Sequence, residues 1–125
     1  YKLVLHRERT LKDISYSLNQ CYPNLRLACY QHTHKKRKSS PLTEQLAEGL
    51  KLEDIQEEIS FSVIDIDEEK AVAKLEEELQ NKLGFGVQVL RRIKHKWSQL
   101  TLNDDWSLQR HNREAEIDAQ IFGVV

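Results

Sequence analysis

The sequence predicts an α+β domain built from two β-α-β units. Two observations predict it: apolar residues recur at helical spacing in two stretches 61 residues apart, and each stretch is flanked on both sides by residues that alternate as strands do. A third sets the scale, since 125 residues with 39% hydrophobic and 31% charged side chains, four Gly and two Pro suit one ordered core rather than a linker.

The elements follow in chain order. Leu3 and Leu5 alternate as a first strand. Residues 10–22 then place Leu11, Ile14, Leu18 and Tyr22 on one helical face, with Thr10 as the cap, Asp13 three residues later as a short-armed capping box, and Pro23 as the stop. Leu25 and Leu27 open a second strand, and Cys29 continues its alternation into the core, where a free thiol packs as a small apolar group. The connection over 32–49 carries the basic run Lys35, Lys36, Arg37, Lys38, then Ser39-Ser40-Pro41, then a short helical segment over 42–50 that Thr43 can cap.

The second unit repeats the template. Ile64 and Ile66 match Leu3 and Leu5, and Val72, Leu75, Leu79 and Leu83 match the helical stripe. The predicted helix spans 67–83, with Asp67 as cap, Glu68 and Glu69 at its positive end, and Gly84 at a left-handed exit. Val87 and Val89 match Leu25 and Leu27 once the turn at Gly84-Phe85-Gly86 takes one extra residue. A turn at Lys94-His95-Lys96 then leads into a strand over 97–102 that forms a hairpin with 87–93. A weaker echo sets Leu50, Leu52 and Ile55 against Leu100, Leu102 and Trp106, which places Trp106 in the core.

The chain is therefore read as a single domain over 1–125, with repeat one at about 1–56, repeat two at about 59–108 and a mostly polar C-terminal tail over 109–125. Ile117, Ile121, Phe122, Val124 and Val125 in that tail either dock on the core or meet a partner. Right-handed crossovers put both helices on one face of the sheet, so the expected assembly is a ferredoxin-like split βαβ sheet, with tandem ubiquitin-like β-grasp units as the alternative.

Thr10-Leu11, His34 and Asp104-Asp105-Trp106-Ser107-Leu108 resemble a pattern in small uncharacterised bacterial proteins of about 120 residues with two β-α-β repeats. The resemblance spans most of the chain and implies no known activity.

Function is constrained mainly by exclusion. Nineteen Lys and Arg against 20 Asp and Glu leave a net charge of −1, so any attraction to nucleic acid or an acidic surface must be local. No apolar run is long enough to span a membrane, and none is expected to contact one. Cys21 and Cys29 fit neither a zinc nor a C-x-x-C redox spacing, which makes a reducing, cytoplasmic setting the default and leaves their pairing open. Cys29, His32 and His34 lack a fourth metal ligand, and no phosphate loop, nucleophile elbow or paired acid motif is present, so no metal, cofactor or catalytic residue is assigned. Glu76, Glu77 and Glu78 read as an ordinary charged helix face.

The positive candidates are two basic clusters at equivalent places, each just beyond the second strand of its unit: Lys35, Lys36, Arg37 and Lys38, and Arg91, Arg92, Lys94 and Lys96, with Trp97 beside the second as a contact surface. A pseudo-twofold would set the two clusters at opposite ends of the sheet. The expected role is a non-enzymatic module that binds a protein partner. Nucleic-acid binding through 35–38 and 91–96 is the alternative, and self-association is compatible with either.

Overall fold

The computed structural model describes residues 1–121 and has the expected α+β architecture. Strand β1 (Lys2–Leu5), helix α1 (Leu11–Cys21) and strand β2 (Leu25–Tyr30) form the first unit. A 3-10 turn at Leu42–Glu44 and the one-turn helix α2 (Leu52–Ile55) follow. The second unit is β3 (Ser62–Asp65), α3 (Val72–Leu83) and β4 (Gly86–Ile93), succeeded by β5 (Lys96–Gln99) and α4 (Leu108–Ile121).

The strands divide into two antiparallel sheets, β1-β3 and β2-β4-β5. Equivalent strands of the two units are partners in both. The first ladder is centred on Leu3 opposite Ile64 and the second on Leu27 opposite Val89, so one pseudo-twofold axis serves both registers. Leu25, Leu27, Cys29, Val87 and Val89 point into a single core shared with Leu11, Ile14 and Leu18 of α1 and Val72, Leu75, Leu79 and Leu83 of α3. Helices α1 and α3 thus lie on one face of the larger sheet, and each fully buried leucine among them contributes about 2 kcal/mol by leaving water. The opposite face carries a small cluster of Ala28, Tyr30 and Leu90 with Trp97 packed against it. Ser40 roofs it by bonding to Gln88 and Gln99.

Local chemistry accounts for the helix ends. Thr10 Oγ1 accepts from Asp13 N–H and Asp13 returns the bond to Thr10 N–H, a full capping box worth about 1 kcal/mol. Gly84 adopts φ 80° at the α3 exit, as its position predicts. The start of α3 differs from expectation. It begins at Val72 rather than Asp67, because carbonyls of Asp104 and Trp106 supply acceptors to Ala73 and Val72 N–H, and 67–70 closes as a turn. The segment after Pro41 makes one 3-10 turn without a Thr43 cap, since 44–46 is drawn into extended pairing with the end of β2.

These contacts recur between the units. Leu11 N–H donates to Leu50 O, and Leu52 N–H to Arg9 O; 61 positions on, Val72 N–H donates to Trp106 O, and Leu108 N–H to Lys70 O. Side chains follow suit: Arg9 reaches Val4 O and Ser17, while Lys70 reaches Asp65 O and Glu78. This hydrogen bonding equates Leu50 with Trp106 and Leu52 with Leu108, which corrects the echo read from leucine spacing. Trp106 is accordingly half-buried against His111 and Arg110, and Leu102 is exposed.

The hairpin turns at Lys94 (φ 50°) and His95 (φ 69°), the two left-handed residues that a tight two-residue loop requires. Residues 108–121 form a packed helix rather than a loose tail, with Leu108, His111 and Ala115 buried and Ile117 and Ile121 outward. Phe122, Val124 and Val125 lie outside the described residues. No helix among those described is long and apolar enough to cross a membrane.

Candidate binding cleft

A strand edge without a neighbour exposes donors and acceptors that must be satisfied. On the outer edge of β2, 44–46 pairs with the distal end, while Ser15 Oγ accepts Leu27 N–H and Asn19 donates to Leu25 O. On the outer edge of β4, β5 covers 90–93, and the remaining edge is served by the residues of α3 equivalent to Ser15 and Asn19. Glu76 Oε2 accepts Val89 N–H at 2.7 Å, and Gln80 Oε1 accepts Val87 N–H at 3.2 Å. Side chains on α1 and α3 thus stand in for absent strands in both units.

The basic connection is strapped onto this edge. Gln80 also accepts His34 N–H and donates to His34 O, while the His34 ring sets Nε2 2.7 Å from Val87 O and Nδ1 2.9 Å from Lys35 O. Arg37 N–H, at a residue with φ 64°, donates to Asp104 Oδ2 at 2.8 Å. His32 crosses directly over Gly86, whose lack of a Cβ lets the two backbones approach.

Two carboxylates lie beneath the strap. Glu76 is 1% and Asp104 0% exposed, and Glu76 Oε1 and Asp104 Oδ1 have no hydrogen-bond partner among the described residues. His34 Nε2 is 3.6 Å from Glu76 Oε1, beyond hydrogen-bonding range. Burial pushes the Glu76 carboxyl up to about 8; its bond from Val89 N–H opposes the rise and the Asp104 charge adds to it. Burial thus favours the neutral form of Glu76.

Above this floor opens a cleft of about 500 Å³ between 33–36 and α3, reaching to Asp105. Thr33, Lys35, Lys36 and Asn81 line it, and their side chains bond to no other described residue. Lys74 and Glu77, on the α3 side, pair at 3.7 Å. A smaller hollow of about 200 Å³ occupies the equivalent place beside α1, lined by Ser15, Tyr16, Asn19, Glu48, Arg26 and Trp97 among others. Here Arg26 stacks 4.5 Å from the Trp97 ring centre.

The nine sequence-derived candidates separate. Lys35, Lys36, Arg37 and Lys38 are exposed on the strap, with Lys35 and Lys36 at the cleft. Arg91 is buried at the far end of β4, bonded to Asp118 at 2.9 Å and near His111 Nδ1 at 3.3 Å, which leaves its guanidinium engaged inside the protein. Burial and the neighbouring arginines hold His111 below the ordinary histidine value. Arg92 donates to Asn24, Lys94 and Lys96 are exposed around the hairpin turn, and Trp97 is half-buried. Because β2 and β4 are antiparallel, the two clusters sit at opposite ends of the sheet, as the pseudo-twofold predicts. No group of three metal-ligating side chains occurs among the described residues, both cysteines are free, and burial raises the Cys29 thiol to about 12.

No family model, curated protein or solved structure matches the chain. Thr10 and Leu11 start α1, whereas the Asp104 and Trp106 carbonyls meet the start of α3 and the His34 ring lies on the edge of β4.

Glu76 and Gln80 escaped sequence reasoning, which took Glu76 for solvated surface. A signal was present: Ser15 and Asn19, and Glu76 and Gln80, are polar pairs four residues apart, each following the first apolar residue of its helix by four and eight positions. Polar residues repeated beside an apolar stripe in both helices mark a face that meets backbone rather than water.

Proposed function

We propose that this domain is a non-catalytic interaction module that docks a protein partner at the cleft between residues 33–36 and α3. The carrying observation is the contrast between a rigid floor and an unsatisfied rim. Gln80, His34 and Glu76 are committed to the edge of β4, whereas Thr33, Lys35, Lys36 and Asn81 have no partner among the described residues. The bonds from Gln80 hold the His34 backbone in place before binding, so little backbone ordering is lost, and the unbonded side chains of the rim remain available to a partner. The recurrent contacts of the two units support descent from a duplicated β-α-β unit, with the longer first connection recruited to build the strap.

An Ala73→Trp variant fills the cleft from α3 with an uncharged ring without touching the strand-edge bonds. It is expected to abolish partner capture at an unchanged melting temperature. Undiminished capture by the folded variant would place binding elsewhere.

The exposure of the 35–38 run favours nucleic-acid binding as a second reading. Opposite placement of the clusters and the internal engagement of Arg91 weigh against one continuous phosphate track. Oligonucleotide titration at low and physiological salt tests it. This reading expects affinity to fall steeply with salt and to be lost when Lys35, Lys36, Arg37 and Lys38 become Ala; salt-independent binding, or no binding, rejects it.

A further inference from the structure

We infer that the cleft receives an acidic segment of a protein partner, with one ligand carboxylate seated among Thr33, Lys35, Lys36 and Asn81. This rests on the module reading above and names its ligand chemistry. Each of the four side chains offers hydrogen-bond donors, two carry positive charge, and none bonds to another described residue. Arg37 and Lys38 continue the charge along the strap. Beneath them Glu76 Oε2 accepts Val89 N–H and Asp104 Oδ2 accepts Arg37 N–H, so each of the two buried carboxylates is directed to a backbone donor under the strap.

The same cleft argues for a point anion over a polyanion. Glu77 and Asp105 stand on its walls, and a nucleic-acid backbone laid through it would pass both carboxylates. One Asp or Glu of a peptide needs only the donor group, and its neighbours can turn away. A basic peptide meets the opposite difficulty, since Lys35 and Lys36 repel it at the mouth and Lys74 already occupies Glu77.

The test is titration of the intact chain with three probes: a neutral peptide carrying one Glu, the same peptide with Lys in its place, and inorganic phosphate, followed by amide chemical shifts. The Glu peptide is expected to bind and to move Thr33, Lys36 and Asn81. The double variant Lys35→Ala, Lys36→Ala should weaken it about tenfold, the loss expected for two exposed charge pairs, with Lys96→Ala as an inert control. A preference for the Lys peptide, or equal weakening by Lys96→Ala, overturns the inference. Phosphate binding as tightly as the peptide also overturns it, by marking a simple oxyanion site. If no probe binds while Ala73→Trp still abolishes partner capture, the acidic ligand is wrong and the module reading stands. If Ala73→Trp leaves capture intact, the module reading itself fails.

Discussion

Gly86→Ala is expected to destabilise the protein by about 3 kcal/mol, lowering its melting temperature by roughly 10 °C. A Cβ at Gly86 would lie 2.0 Å from the His32 carbonyl oxygen and 3.0 Å from its carbon. The obstacle is backbone, so no side-chain rotation relieves it, and the strap itself must lift. Lifting it strains the bond from Gln31 N–H to Glu44 O and the paired bonds between His34 and Gln80. Gly49→Ala is the matched control, because an added methyl there meets nothing within 4 Å. It should be neutral or slightly stabilising through the unfolded chain. Equal melting temperatures for the two variants would show that the strap does not rest on β4 as described.

The second large effect concerns Glu76 and depends on pH. Burial raises its folded-state value from about 4.5 to about 8, so over that interval the folded protein holds a proton that the unfolded chain releases. Stability is then fully retained below the unfolded value and is lost progressively as pH rises through the folded one. Glu76→Gln keeps an acceptor for Val89 N–H but cannot ionise. Its stability relative to the parent should therefore increase between pH 4.5 and pH 8 and level off above. Urea unfolding of both proteins across that range measures it, and a difference independent of pH would refute the buried acid. Glu76→Ala should instead lose about 1–3 kcal/mol even at low pH, since it strands a buried N–H.

Both predictions fall on features that sequence reasoning located poorly, and the reason is physical. Leu11, Ile14 and Leu18 advertise a buried face through their own spacing, and the structure buries all three. Thr10 and Gly84 advertise helix ends because capping chemistry spans only a few residues. Glu76 carries no such local mark that separates it from Glu77, one position on and exposed. Its burial follows from an edge position on β4 that β5 fails to cover. Arg91 similarly reads as one more cation in a basic cluster until α4 brings Asp118 to it.

For the cleft, the sequence supplied the rim and missed the floor. Lys35 and Lys36 were legible as a charged run. Gln80, Asn81 and Thr33 join them only when 33–36 folds back across β4, a path set by contacts 46 and more residues apart in the chain.

By itself, then, the sequence determined an α+β domain with two β-α-β units, the buried faces of both helices, both ends of the first helix, the exit of the second and the final hairpin turn. Each of those is written in the periodicity and chemistry of a few consecutive residues. Tertiary structure decided that the strands divide into two sheets, that the start of α3 is capped by carbonyls from 104–106, and that Glu76 and Gln80 complete a strand edge. Such choices arise from satisfying every backbone donor and acceptor at once, and the partner that satisfies each one is distant in the chain.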